Sequence, residues 1–311
     1  MTSRYQVAAL LAVFSGVSCA TSTTRTVEGD VARVLISSDQ ENQLGLQLKA
    51  DMETKQGVVY MTDPEVVGYV QGVAGKVIAL GKRDRPDVNW QVLVIDDRKT
   101  VNAFATPGGY LYVYRGLLET AQNEAELAGV MAHETGHVVA RHAARSLVAA
   151  YGLETVVAMA TGNNPGMVAQ LAGSIASKGL LLAHSRQDET EADEYGARYA
   201  AGAGYDPHGL VTFFQRLMQQ SGDTTGVMAY LSDHPSTQDR VNYVNSYIAS
   251  QHLAGTELGA APYARIRQRL AMLPTATPIP AGAAPPAAPP RAAPPAAAPP
   301  AAAPPAAARP H

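Results

Sequence analysis

Val130-Met-Ala-His-Glu-Thr-Gly-His-Val-Val139 is the stretch of the 311-residue chain that decides its fold and chemistry. It arranges His133, Glu134 and His137 in the order His-Glu-x-x-His. Residues four apart share one face of an α-helix, so the two imidazoles can bind one ion. Glu134 then stands beside that ion and can act as the general base of a zinc hydrolase. The alternative is that these residues occur in this order by chance. The rest of the sequence is needed to choose between the two interpretations.

Composition narrows the class of protein. The chain carries 24 Lys and Arg against 27 Asp and Glu, a formal net charge of −3, and 46% hydrophobic residues. The hydrophobic content supports a sizeable core, and the absence of a basic cluster argues against nucleic-acid binding. Cys19 is the one cysteine. A zinc site built from thiolates is therefore excluded, and any metal must be held by histidine and carboxylate.

The N-terminus predicts export. A cationic start is followed by the apolar run 7–17, which is too short to span a bilayer comfortably, and then by Ser18 and Cys19. We predict a lipoprotein signal over 1–18, a lipidated Cys19, and a tether over 19–34. The expected location is the bacterial envelope, in the periplasm, anchored by lipid to the outer membrane. The alternative is an ordinary signal peptide with an incidental cysteine.

Periodicity predicts a mostly helical α+β domain over 35–272, with a small antiparallel sheet beside the zinc-binding helix. The capping pattern from Ser38 to Glu41 predicts a first helix, and Asn123 predicts the start of the zinc-binding helix. The predicted helices cover 39–51, a segment starting at Pro64, 123 to about 148, 186–203, 207–221 and 237–250; the predicted strands cover 90–95, 101–105 and 110–114.

Two apolar segments need separate interpretations. Residues 147–183 are rich in small and apolar residues, and we predict a helical hairpin folded against the protein, with peripheral membrane contact as the alternative. Residues 273–311 are almost entirely alanine and proline. Such a tail cannot bury a core, and it predicts an extended, polyproline-II-like spacer.

A third metal ligand is predicted about fifty residues downstream. Glu189 and Asp193 are four apart at the start of a helix, hence on one face. Glu189 can complete a site with two histidines, and Asp193 can accept the free N–H of a ligand histidine. On this segment alone, an acidic first turn that complements the helix dipole is an open alternative. Glu191 is predicted to be surface charge, and His142 to be structural because it is rotated off the metal face.

Several motifs in order now carry a family resemblance. They are His-Glu-Thr-Gly-His at 133–137, Asn-Ala-Phe-Ala-Thr-Pro-Gly-Gly at 102–109, Asn-Glu-Ala-Glu-Leu at 123–127, Glu-Thr-Glu-Ala-Asp at 189–193 and His-Pro-Ser-Thr-Gln-Asp-Arg at 234–240. Over residues 35–250 the chain resembles the zinc peptidase family of HtpX, the prenyl-protein endopeptidases and the periplasmic lipoprotein proteases. These are gluzincins, in which two histidines and a glutamate bind one zinc ion. The chain is most similar to the lipid-anchored members.

The resemblance implies roles for further residues. It brings His234 and Arg240 near the cleft, where either is a candidate donor to the oxyanion. His234 is also a candidate fourth ligand that blocks the zinc in a latent enzyme. The strand at Asn102, Ala103 and Phe104 is a candidate for pairing with an extended substrate, against the alternative of an ordinary hairpin edge.

The predicted function is a zinc metalloendopeptidase of envelope protein quality control, acting on unfolded or mobile polypeptides. One rival is a metal-bound chaperone or adaptor that does not cleave, which would have no need of Glu134 as a base. The other is a structural envelope lipoprotein whose Ala/Pro tail carries its function.

Overall fold

The computed structural model describes residues 36–178, 184–220, 230, 232–235 and 238–274. The predicted signal, Cys19, the tether and the tail beyond residue 274 lie outside the described residues. The helices are α1 (Ser38–Thr54), α2 (Pro64–Asp84), α3 (Arg115–Thr120), α4 (Glu124–Val139), α5 (His142–Tyr151), α6 (Leu153–Ala160), α7 (Pro165–Lys178), α8 (Arg186–Gly202), α9 (Gly209–Gln220), α10 (Gln238–Ser250) and α11 (Ala260–Met272); the strands are β1 (Gln91–Ile95), β2 (Ala103–Thr106) and β3 (Tyr110–Tyr114). The predicted α+β class, mostly helical with a small sheet, is confirmed.

The sheet differs from the prediction in one respect. Its order is β1-β3-β2, with β2 antiparallel to β3 but β1 parallel to β3. The prediction of an entirely antiparallel sheet was therefore wrong. Strand β3 lies between β1 and β2, so β1 and β2 form the two edges of the sheet and do not pair with each other. The turn joining β2 to β3 is the predicted one, and Gly108 and Gly109 both adopt a positive φ there, +80° and +82°.

The sheet separates two hydrophobic cores. Successive side chains of a strand point to opposite faces, and β3 uses both faces. Leu111 and Val113 join the core around α2, α4 and α9, whereas Tyr112 and Tyr114 join the core beneath α1 and α5 to α7. The central strand is consequently buried throughout.

Helix α4 is the centre of the larger core, and every residue in it is buried. Asn123 caps it as predicted, since its side chain accepts a hydrogen bond from the backbone N–H of Glu126 at 2.9 Å. The helix is shorter than predicted: it ends at Val139, not near 148. Arg141 takes the left-handed conformation, φ 61° and ψ 32°, and the chain starts a new helix at His142. Salt bridges and buried hydrogen bonds from Arg141 to Glu41 and to the carbonyl of Ile36 hold this break in place.

Close packing of α4 on α8 brings together the two parts of the predicted metal site. A Cβ added at Gly136 would lie 2.8 Å from Tyr195 Cβ and 3.0 Å from the carbonyl oxygen of Ala192. Only glycine allows the two helices to approach this closely.

The predicted helical hairpin is found, within the described residues, as α5, α6 and α7. Its apolar side packs against α1, and Leu48, Met52, Met159 and Ile175 belong to one core. Among the described residues no single helix is long and apolar enough to cross a bilayer; α5 and α6 together reach that length and composition, but they meet at a bend of 118°.

Two details were not predicted. The N-cap of α1 is Ser37, paired with Gln40, one residue earlier than expected. Helix α11 was missed because its short apolar pattern is weak and its end is fixed by distant contacts. The fully buried Arg115 donates to the carbonyl oxygens of Leu270, Leu273 and Pro274.

Candidate metal centre

The predicted ligands converge. Atoms of His133, His137, Glu189 and His234 lie within 4.8 Å of one another, and all four residues are buried. The Nε2 atoms of His133 and His137 are 3.0 Å apart. Glu189 lies 3.4 Å from His133 Nε2 through Oε2 and 3.6 Å from His137 Nε2 through Oε1.

His234 presents Nδ1 to the same point. This atom lies 3.2 Å from His133 Nε2 and 3.1 Å from Glu189 Oε1. An ion bound tetrahedrally at about 2.0–2.1 Å sets its ligand atoms about 3.3 Å apart. The measured separations of 3.0–3.6 Å therefore fit a single metal ion held by nitrogen and carboxylate oxygen.

Helix α8 also supplies the partner of His133. Asp193 Oδ1 lies 3.0 Å from His133 Nδ1, as the four-residue spacing from Glu189 predicted. Burial lowers the pKa of His133, but the carboxylates of Asp193 and Glu189 outweigh it and raise that pKa to about 9. Asp193 therefore lies against Nδ1, the ring nitrogen of His133 that does not face the other ligands.

Arg240 is a predicted candidate for the oxyanion donor, but its contacts in the structure are with acidic side chains. Its guanidinium pairs in a bidentate manner with Asp193, at 2.9 and 2.7 Å, and its Nη1 lies 2.8 Å from Glu189 Oε2. The guanidinium is therefore directed at the two acids of α8, and it compensates their charge in a buried environment.

His137 has a partner that sequence reasoning missed. His142 Nδ1 lies 2.8 Å from His137 Nδ1. His142 Nε2 in turn lies 3.2 Å from Glu191 Oε2, so Glu191 is not only surface charge. His142 had been excluded because a continuous helix would rotate it off the metal face, and the break at Arg141 is what returns it.

Glu134 lies beside the ligand cluster. The side chain is buried, and its Oε1 lies 3.4 Å from His234 Nε2. Burial raises the pKa of Glu134, although nearby His234 and His133 oppose the shift. A carboxylate with a raised pKa is better suited to accept and return a proton near neutral pH.

His234 belongs to a short segment, 230–235, of which residues 230 and 232–235 are described. Its backbone N–H donates to the carbonyl of Tyr230 at 2.8 Å, and the two rings lie 4.9 Å apart between centroids. The neighbouring Asp233 accepts a hydrogen bond from Asn102 Nδ2 at 2.7 Å. Asn102 directly precedes β2, so the segment is tied to that strand.

Strand β2 forms one edge of the sheet, next to the site. Its Phe104 side chain points to the other core and stacks on Tyr112, with the ring centroids 4.6 Å apart. Ala105 and Thr106 line a small cavity together with His137 and His184. His184 stacks on His137, with the ring centroids 4.1 Å apart.

Residues 64–248 match the family model described as peptidase family M48. The chain belongs to peptidase family M48. The resemblance predicted from its motifs is confirmed, and the family implies a bound metal, for which the buried histidine and carboxylate cluster is suited.

Several curated proteins are similar to this M48 member. The mitochondrial metalloendopeptidase OMA1 of Schizosaccharomyces pombe is 34% identical over 180 residues, 58% of this chain and 52% of that protein. A putative beta-barrel assembly-enhancing protease of Vibrio cholerae is 32% identical over 225 residues, 68% and 45%. The metalloprotease YcaL of Escherichia coli is 32% identical over 167 residues, 52% and 63%. The chain spans about half the length of the first two relatives.

Proposed function

We propose that this M48 member is a zinc-dependent metalloendopeptidase that hydrolyses peptide bonds of envelope proteins in protein quality control. The observation that carries the proposal is the convergence of His133, His137, Glu189 and His234, with ligand atoms within 4.8 Å of one another, beside a buried Glu134. A chaperone or a structural lipoprotein would not need a base at that position.

The side chains have distinct roles in this proposal. His133, His137 and Glu189 hold one zinc ion, which when bound supplies a Lewis acid that polarises the scissile carbonyl and acidifies water. Glu134 takes the proton of the attacking water on its carboxylate and delivers it to the leaving amine. Asp193 and Arg240 keep the ligand set oriented.

His234 is proposed to make the enzyme latent. Its Nδ1 has the spacing of a fourth ligand, and a site whose fourth position is filled by protein leaves none for substrate. Activity would then require the segment 230–235 to move. After that movement, His234 is proposed as a donor to the oxyanion.

The edge position of β2 supports an extended polypeptide as substrate. Backbone groups at Asn102, Ala103 and Phe104 are proposed to pair with it by strand addition. Backbone N-methylation at alternate positions of a cleaved peptide is expected to lower kcat/KM about fivefold each, the value of one hydrogen bond of about 1 kcal/mol. Equal effects at all positions would contradict pairing with a strand.

The envelope location is proposed from two observations. The N-terminal sequence has the pattern of a lipoprotein signal with Cys19 at its end, and similar bacterial proteins are named beta-barrel assembly-enhancing proteases. Radioactive palmitate incorporation into the parent but not into Cys19→Ser tests the anchor. Equal labelling of the two proteins would exclude Cys19 as the acceptor.

Activity is tested with one matched pair of variants. Zinc per chain is measured by mass spectrometry, and degradation of fluorescein-labelled casein is followed for the parent, Glu134→Gln and Glu154→Gln. Glu154 is an exposed glutamate of α6 and serves as the control for the same chemical change. We expect about one zinc per chain in all three and at least a roughly 100-fold loss of cleavage only in Glu134→Gln, the lower end of general-base contributions. Bound zinc with cleavage that does not depend on Glu134 would overturn the proposal.

A further inference from the structure

We propose that His142 is a positioning residue for His137, which it orients through a hydrogen-bonded relay to the acids of α8. The two rings are nearly perpendicular, at 72°, and their Nδ1 atoms lie 2.8 Å apart. The inference rests on the proposed metal site and does not require that the protein cleaves peptides.

The tautomers follow from the geometry. His137 directs Nε2 to the ligand cluster, so its proton is on Nδ1 and is donated to His142 Nδ1. His142 must accept there, and its own proton is therefore on Nε2. That atom donates to Glu191 Oε2 at 3.2 Å, and the carboxylate of Asp188 lies close by, with Oδ1 3.3 Å away. Each donor thus faces an acceptor along the whole relay.

The backbone is built for this contact. On an uninterrupted helix, a residue five positions on is rotated by about 140° from the first, toward the opposite side. Arg141 breaks the helix with φ 61°, a left-handed conformation that is unfavourable for a residue other than glycine. Its guanidinium is buried against Glu41 and the Ile36 carbonyl, which compensates that cost. The break places His142 back beside His137.

Arg145 pairs with the acids at the end of the relay. Its positive charge is the reason why we do not interpret these acids and His142 as a second metal site. Its Nη2 lies 2.5 Å from Asp188 Oδ1 and 3.8 Å from Glu191 Oε2. The cluster of His142, Asp188 and Glu191 has ligand atoms close enough for an ion, but the guanidinium already supplies a cation there. The acids therefore act as acceptors for His142.

The two ligand histidines are consequently supported in different ways. The Nδ1 atom of His133 lies directly against the carboxylate of Asp193, at 3.0 Å, whereas the Nδ1 atom of His137 reaches a carboxylate through the imidazole of His142. Outer partners of this kind change metal affinity by about 10- to 100-fold when removed.

The first test separates a hydrogen bond from packing. In His142→Gln the side-chain oxygen can accept from His137 and the amide can donate to Glu191, whereas His142→Leu fills similar space without either bond. Zinc affinity measured by chelator competition is expected to fall about 10- to 100-fold in His142→Leu and no more than about threefold in His142→Gln. His208→Leu, at an exposed position in contact with Asp206, is the control for loss of a histidine. Equal losses in the glutamine and leucine variants would overturn the proposal.

The second test needs no substitution in the relay. Two-bond ¹H–¹⁵N NMR of ¹⁵N-histidine-labelled, zinc-loaded Glu134→Gln protein reads the tautomer of each ring. We expect His137 protonated on Nδ1 and His142 on Nε2. A His142 ring protonated on Nδ1 would contradict the relay. Zinc binding is measured separately from casein cleavage, so a failed relay and a failed peptidase function give different results.

Discussion

His137 and His234 each bring an imidazole to the same site, yet the parts of the molecule that carry them are held very differently. His137 lies in α4, which is buried along its whole length and packs against α8 through Gly136. His234 lies on the short segment 230–235, which is tied to the sheet through Asp233 and Asn102. The proposed function rests on this difference: α4 and α8 supply a framework of three ligands, and the segment 230–235 supplies a fourth ligand that is proposed to exchange.

The framework ligands are held by other side chains of the protein. His133, His137 and Glu189 come from two helices in close contact, and each has a partner in place: Asp193, His142 and Arg240 respectively. Burial and the neighbouring His184 hold the pKa of His137 well below its usual range, so this ring is neutral and available as a ligand at neutral pH.

The largest expected effect is the difference in zinc affinity between His137→Ala and His234→Ala. Loss of His137 is expected to weaken zinc binding by more than the roughly 100-fold that outer partners carry, because a framework ligand is removed. Loss of His234 is expected to weaken it by less than about 10-fold and to raise casein cleavage, because a blocking ligand is removed. Chelator competition and the cleavage assay measure both. A His234→Ala protein no more active than the parent would count against latency.

The rigidity of the framework is tested by Gly136→Ala. The added methyl group collides with Tyr195 and with the backbone of Ala192, so the free energy of unfolding is expected to fall by about 1–3 kcal/mol. Gly72→Ala in α2 is the matched control, because a Cβ there meets nothing within 4 Å. That substitution is expected to stabilise the protein by about 0.5–1 kcal/mol. Urea unfolding of both variants provides the measurement, and equal midpoints would show that α4 and α8 can move apart.

Sequence alone predicted the metal ligands and Asp193 better than it predicted the residues that contact them. His133, His137, Glu189 and Asp193 follow from helical spacing, which depends only on local geometry. The relay through His142 depends on one left-handed residue, and an arginine gives no local signal of that conformation.

The sheet illustrates the same limit. Apolar runs identify three strands, but they do not say which strands are neighbours, and β1 proved to be parallel to β3. Arg240 was assigned to the cleft by resemblance, and its pairing with Asp193 and Glu189 depends on how α10 packs against α8. Long-range packing, which local periodicity does not encode, accounts for each of these differences.

The smallest expected effect concerns the hydrogen bond between Asp233, in the segment 230–235, and Asn102, which directly precedes β2. Asp233→Ala removes the acceptor for Asn102 Nδ2, and the loss of one hydrogen bond of about 1 kcal/mol is expected to raise casein cleavage about fivefold by releasing His234. Asp233→Asn keeps an oxygen in the same position and is expected to stay within about twofold of the parent. Zinc affinity is expected to fall no further than in His234→Ala, because the framework ligands are untouched. If Asp233→Ala lowered cleavage while His234→Ala raised it, the bond to Asn102 would serve the substrate strand and not the latent state. The pair of variants therefore decides whether the exchangeable ligand is controlled from β2, the same strand on which the substrate is proposed to bind.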